Sequence, residues 1–498
     1  MCPLKGERMR ASRTFTGIAA ICVPAMALAQ AAPRYLSQRD VAEAQRQHPE
    51  LVAEFGGAET GARAAYVEGV GRRVAAYSGI ANSGNIYHFT TLNSAVENAF
   101  ALPGGYVYIT RQLMGLMNDE SELAFVLGHE TGHIAARHAQ ARQAAASRNS
   151  ILGVLGVLLG SVVGGGAFGN MISQSAQQYS QMATLSFSRD QEYQADTLGI
   201  RYMLNAGYDP MGSATMLEAL VRADALETRI QGRDSRSTPE WARTHPLSIN
   251  RTQRALAEAR GTGRAGQGLR NRDQFLAQLE GIYVDDDPAQ GVIDGRSFTH
   301  PDLRLQFVVP TGYTMQNGAR AVTISGSAGK AQFSTGRFNG DLAAYINQVV
   351  YDLSGGRSQV AMAQPRATTI NGIPAMYSVG RANTSSGAVD VSVMAYRWAP
   401  DRAYHFVMLT QAGAGIGPFA PMVDSLRRVT PQEAASIRPR IIDVVTVAPG
   451  ETAQSISRRM AYRDFQLDRF LALNGLAANA RLVPGQKVKV VIQGTRRT

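Results

Sequence analysis

Apolar residues recur at spacings of three and four through most of residues 35–260, the period of helices with one buried face. Within residues 58–81, Ala64, Val67, Val70, Val74 and Tyr77 fall on one such stripe and predict a single helix. A short β segment is expected over 87–92. The turn-rich stretch 98–105 then leads into the alternating strand Tyr106-Val107-Tyr108-Ile109. Asn118 and Asp119 are good capping residues ahead of a long apolar-periodic run, and Glu122 is placed for a capping box on Asp119.

The period changes further on. Gly261, Gly263, Gly266 and Gly268, with Arg264 and Arg270 around them, read as a linker over 261–281. From about 282 to 430 the pattern alternates residue by residue, as in Leu303-Arg304-Leu305-Gln306-Phe307-Val308-Val309 and Val389-Asp390-Val391-Ser392-Val393-Met394. Residues 383–387 suit a hairpin turn, and helices are expected near 341–353 and 418–429. Residues 441–492 then predict a strand, two short helices and a closing strand. The expected fold class is therefore multidomain α+β. A mainly helical domain with a small sheet spans 35–260, an antiparallel α+β domain 282–430, and a βααβ module 441–492.

At 498 residues the chain is too long for one ordinary core, in keeping with that division. Its formal charge of +11 comes almost wholly from arginine, since lysine occurs only at Lys5, Lys330, Lys487 and Lys489. These cations are scattered and form no dense basic run with interleaved aromatics, so nucleic acid is not an expected partner. Lys5, Arg8, Arg10 and Arg13 precede a short apolar run and the small-x-small pattern Ala27-Leu28-Ala29. This reads as a signal peptide over 1–29, cleaved near Ala29, and predicts a periplasmic protein. Both cysteines, Cys2 and Cys22, lie inside it, so a metal in the mature chain must be held by histidine and carboxylate. Residues 151–168 are apolar but carry six glycines, three of them consecutive. Such a segment makes a poor lone helix and suits a hairpin that packs over a cleft or touches a membrane surface.

The long helix carries His129-Glu130-Thr131-Gly132-His133. Histidines four apart share a helix face, so both imidazoles can reach one ion, while Glu130 is turned to its side as a candidate general base. Downstream, Glu192 and Asp196 are again four apart at the start of a helical stretch. Glu192 fits a third ligand position of a single Zn2+ per chain, and Asp196 fits an acceptor that orients a ligating histidine. His48, His88, His138, His300 and His405 read as surface or packing residues.

Together, HETGH, the stretch 192–196, the segment 98–105 and Thr244-His245-Pro246 with Arg251 resemble the BepA-like and HtpX-like metallopeptidase family over roughly 35–260. The resemblance implies a gluzincin fold with its active-site helix packed on a small sheet. It also implies a zinc metalloendopeptidase acting in protein quality control on unfolded or misassembled envelope proteins. By the same resemblance His245 approaches the metal as a latch, or donates to the tetrahedral oxyanion; a purely structural role is the third reading. Arg251 either stabilises the transition state or pairs with a carboxylate such as Glu192. The resemblance further makes the strand 106–109 the sheet edge where an extended substrate lies, with Asn98, Ala99, Tyr106 and Tyr108 as substrate-binding residues; an ordinary paired core strand is the other reading.

Residues 441–492 resemble a LysM module, which implies a tether to peptidoglycan, and Phe307 to Tyr313 give the middle domain a faint similarity to the Mog1/PsbP-like fold. Two other functions fit these features: hydrolysis of peptidoglycan stem peptides, and a non-proteolytic chaperone or scaffold with a latched zinc site.

Overall fold

The structure, a computed structural model, describes residues 34–142, 187–231, 245, 249–353, 360–384 and 387–496. The expected signal peptide, the apolar segment 151–168 and the neighbours of His245 lie outside these. Among the described residues no helix is long and apolar enough to cross a membrane.

The first part is helical around a three-stranded sheet. Helices α1 (Gln38–Glu54) and α2 (Ala62–Ala75) precede a short α3 (Ser83–Ile86) and strands β1 (His88–Leu92), β2 (Ala99–Leu102) and β3 (Tyr106–Thr110). The apolar stripe of α2 buries Val67, Val70 and Val74, whereas Tyr77 lies past the helix end and is exposed. After α4 (Arg111–Leu116) comes α5 (Glu120–Ala135), capped by Asp119, whose carboxylate accepts from the backbone of Ser121 and Glu122. The Glu122 carboxylate reaches back to the Asn118 amide rather than to that of Asp119, so the box closes one residue earlier than its sequence suggests. Every residue of α5 is buried, which explains why it lacks a clear polar face. Helices α6 (Arg189–Asn205), α7 (Met211–Gln231) and α8 (Ile249–Gly261) complete this layer.

In the small sheet β3 is the middle strand, parallel to β1 and antiparallel to β2. The expectation that 106–109 forms a substrate-accepting edge is therefore corrected. Both sides of β3 are already hydrogen-bonded, so it has no backbone ladder to offer. Tyr108 is fully buried with its hydroxyl 2.9 Å from Nδ1 of His48, and Tyr106 packs against the rings of His48 and His88.

Residues 261–281, expected as a linker, fold as part of the core. Helix α9 (Arg272–Leu279) buries Phe275, Leu276 and Leu279 completely, and Arg270 pairs with Asp119 at the cap of α5. A short strand β4 (Tyr283–Val284) follows.

The middle domain has two sheets. One is a four-stranded sheet of β5 (Val292–Asp294), β6 (Ser297–His300), β7 (Leu305–Val308) and, far along the chain, Arg427–Arg428. The other is eight-stranded and centred on the long strands Ile373–Thr384, Gly387–Ala399 and Arg402–Gln411. Met394 and Tyr396 face a core shared with Phe307 and the helix Ala420–Ser425, while Val391, Val393 and Ala395 face the helix Leu342–Leu353. Alternate residues are thus buried on opposite faces, as in a sheet covered on both sides.

The last module runs from Arg440–Thr446 through helices Ala453–Ser457 and Gln466–Leu473 to Lys487–Gln493. Its two strands pair with each other, and the first also pairs with β4. Its core is continuous with that of the first part: Ile442, Ile456, Phe470, Val488 and Val490 belong to the same apolar cluster as Phe125 and Leu127 of α5. Lys489 is fully buried at this seam and donates from Nζ to the carbonyls of Gly115 and Met117, at 2.7 and 2.5 Å.

Candidate metal centre

Helices α5 and α6 cross at unusually close range because glycines line the contact. A Cβ on Gly199 would lie 2.9 Å from the His129 amide nitrogen, and one on Gly128 would lie 3.2 Å from the Gly199 Cα. The approach brings His129, Glu130 and His133 of α5 beside Glu192 and Asp196 of α6. The latter is fixed at its start by a capping box between Ser188 and Gln191. His245 closes the site from the chain entering α8, and Arg251 from the first turn of α8 itself.

Candidate ligand atoms of His129, His133, Glu192 and His245 all lie within 4.8 Å of one another, and all four side chains are buried. Nε2 of His129 is 3.0 Å from Nε2 of His133 and 3.3 Å from Nδ1 of His245. Nδ1 of His245 is 2.9 Å from a Glu192 oxygen, and its Nε2 is 3.5 Å from Glu130. Asp196 accepts from Nδ1 of His129 at 2.9 Å, which fixes the ring so that its Nε2 faces the cluster. Arg251 donates to both Asp196 oxygens, at 2.7 and 2.8 Å, and its Nη1 lies 2.9 Å from the second Glu192 oxygen. That oxygen has the ion pair but no hydrogen bond of acceptable geometry, although it is buried. A buried carboxylate oxygen left in this state, 3.7 Å from Nε2 of His129, suits a cation in the cluster.

The charges are consistent with this arrangement. Burial opposes ionisation of Asp196, yet the Arg251 guanidinium and the bonds from Arg251 and His129 hold its carboxyl far below the usual range. Glu192 is likewise kept ionised against burial, by His245 and Arg251. Burial and the neighbouring His129 push His133 well below an ordinary imidazole, so it is neutral, as a ligand must be.

Of the residues singled out in the sequence, His129, Glu130, His133, Glu192, Asp196, His245 and Arg251 therefore meet at one place. Arg251 touches both Glu192 and Asp196, so pairing with a carboxylate is its observed contact. Asn98 and Ala99 lie at the start of β2, both buried. Tyr106 and Tyr108 belong to the middle strand.

Two residues at the centre escaped the sequence reading. His138 is buried, not on the surface, with Nδ1 2.9 Å from Nδ1 of His133. Phe187, just ahead of α6, stacks on the His133 ring at 3.9 Å between centroids. The sequence carries no mark of the His138 position, because the chain reversal after α5 falls at Arg137, a non-glycine residue in the left-handed region with φ 57°.

Comparison with known proteins gives a consistent picture. Residues 61–259 match Peptidase family M48, and residues 445–491 match the LysM domain. The Beta-barrel assembly-enhancing protease of Escherichia coli (strain K12) is 30% identical over 222 residues, 44% of this chain and 42% of that protein. The protein of the same name from Yersinia pestis is 32% identical over 201 residues, 39% of this chain and 38% of its own. Mitochondrial metalloendopeptidase OMA1 of Schizosaccharomyces pombe is 30% identical over 189 residues, 38% of this chain and 51% of that one. The chain thus spans about half or less of the length of these curated relatives. The solution structure of cyanobacterial PsbP from Synechocystis sp. PCC 6803 aligns over 28% of this chain and 98% of its own, at 11% identity and a TM-score of 0.22. That likeness is too slight to bear on the middle domain.

Proposed function

We propose that this chain, which carries a Peptidase family M48 domain and a LysM domain, is an exported zinc metalloendopeptidase that cuts unfolded or misassembled envelope proteins. The observation that carries the reading is the convergence of His129, His133, Glu192 and His245 within 4.8 Å, with Glu130 beside them. His129, His133 and Glu192 are the three ligands, a set of nitrogen and oxygen donors that suits zinc. Bound there, zinc supplies Lewis-acid polarisation of a water and of the scissile carbonyl.

The chain's own groups do the rest. Glu130 takes the proton of the attacking water and returns it to the departing amine nitrogen. Asp196 holds His129 in one tautomer, and Arg251 holds both Asp196 and Glu192 in place. His245 stands within ligand distance of the cluster and acts as a latch over the position that the water needs. Its displacement opens the site.

An extended substrate would pair with the outer side of β2 rather than with β3. Among the described residues no strand occupies that side. Asn98 and Thr110 already form a bonded pair, so ladder alternation turns the backbone groups of Ala99 and Ala101 outward. Main-chain pairing makes little demand on side chains, which suits unfolded clients. The relatives named for β-barrel assembly support envelope proteins as those clients, and a periplasmic location. The exposed loops 448–450 and 477–479 of the LysM domain leave a face open to peptidoglycan.

The test is cleavage of unfolded casein by the purified chain at measured zinc content. Glu130→Gln is expected to lower the rate at least roughly a hundredfold without loss of zinc, and His245→Ala to raise it. A zinc-loaded wild type and His245→Ala that both leave casein intact would overturn the proteolytic reading. Release of stem peptides from purified sacculi under the same conditions would move the substrate to the cell wall.

A further inference from the structure

His138 lies five residues beyond His133, a spacing that on an unbroken helix would turn it well away from the metal face. The helix is broken: α5 ends at Ala135, and Arg137 in the left-handed region swings the chain back. His138 returns beside His133 with their Nδ1 atoms 2.9 Å apart. On its far side, His138 Nε2 lies 2.9 Å from Oε1 of Gln194 on α6. Gln191 of the same helix donates to the His138 carbonyl at 3.3 Å, so the backbone is tied as well.

The hydrogen-bonding capacities of these groups leave one consistent arrangement. The Gln194 carbonyl oxygen can only accept, so His138 carries its proton on Nε2 and presents a lone pair at Nδ1. His133 must then donate from Nδ1, which puts its lone pair on Nε2, the atom that faces His129 and Glu192. Phe187, stacked on the same ring, blocks rotation out of this plane.

We propose that His138 and Gln194 are positioning residues that fix the tautomer and aim of His133 for the metal, as Asp196 does for His129. The two ligand histidines are thus held by different means. One leans on a carboxylate, which adds charge to the site. The other leans on a neutral imidazole and amide, which add direction without charge. Gln194 also lines a groove on the outer side of α6 with Asp190, Tyr193 and Arg254, so the chain runs from the metal site to the protein surface.

The inference rests on the zinc reading above, and its test separates the two. Zinc dissociation constants of the full chain are measured by chelator competition, together with the visible spectrum of the cobalt-substituted protein. His138→Phe and Gln194→Leu are each expected to weaken zinc roughly ten- to a hundredfold and to alter the cobalt spectrum. His138→Asn, whose Oδ1 stands where Nδ1 was, is expected to recover most of the affinity. Unchanged affinity in both His138→Phe and Gln194→Leu would overturn the relay; so would a loss in His138→Phe that His138→Asn does not restore. If His138→Phe fails to fold, Gln194→Leu decides alone. A folded wild type that binds no zinc would remove the metal reading and the relay with it.

Discussion

Replacing Lys489 by methionine tests how firmly the LysM domain is built into the peptidase domain. The ammonium is fully buried and bridges the carbonyls of Gly115 and Met117, at the turn that launches α5. Burial pushes Lys489 well below an ordinary lysine, with Glu122 pulling the other way, and burial likewise pushes Glu122 up to about 7. Methionine keeps the apolar stem and deletes the donor. Each carbonyl then stays buried unless water enters, at about 1–3 kcal/mol apiece, while the cost of burying the ammonium is no longer incurred. The two carbonyls together set an upper range of about 2–6 kcal/mol, from which the relieved burial of the ammonium is subtracted, and we expect a net loss of about 2–4 kcal/mol. Urea unfolding followed by circular dichroism gives the total. Hydrogen exchange of the strand amides in Arg440–Thr446 and Lys487–Gln493 shows whether the loss falls at the seam. If Lys489 and Glu122 act together, Glu122→Gln should cost less in the Lys489→Met background than in the wild type. A single variant within about 1 kcal/mol of wild type, with unchanged exchange, would refute the idea that this lysine secures the seam.

Two further outcomes follow from the packing. His405, held between Ser334 Oγ at 3.0 Å and Tyr345 OH at 2.8 Å, is pushed by burial from 6.5 to about 4, so the folded chain keeps it neutral. The unfolded chain takes up the extra proton first as pH falls. Its contribution is therefore complete above about pH 6.5 and is lost on the way down to about pH 4, on the order of 3 kcal/mol in all; thermal melts of the middle domain should fall across that window, and less so in His405→Gln. A slope unchanged in that variant would show that other groups set it. At the helix crossing, Gly199→Ala would press a methyl to 2.9 Å from the His129 amide nitrogen. We expect about 1–3 kcal/mol of destabilisation and weaker zinc binding; a wild-type melting temperature with wild-type zinc affinity would show that the helices can part without disturbing the ligands.

What the sequence made legible was what lies within one helix turn. Asp119 as cap, the histidines at 129 and 133, and the carboxylates at 192 and 196 are all pairs whose relation is set by a 3.6-residue period, and the structure keeps them. The errors arise where that local relation stops. His138 was misplaced because a helical phase was carried across Arg137, whose left-handed backbone resets it. The strand 106–109 alternates as strands do, but alternation fixes the two faces and says nothing of which neighbours bond its edges; β1 arrives in parallel from eighteen positions upstream, as His88 opposite Tyr106 shows. Lys487-Val488-Lys489-Val490 is the most instructive case. Its pattern reads as a strand with one wet face, and Lys487 is indeed partly exposed, yet Lys489 on the same face is buried against the turn that starts α5. A module that reads as a tether on its own sequence thus shares a core with the peptidase domain. The seam at Gly115 and Met117 lies four and two residues before Asp119, the cap of α5. The helix that carries His129, Glu130 and His133 begins where the LysM domain is anchored.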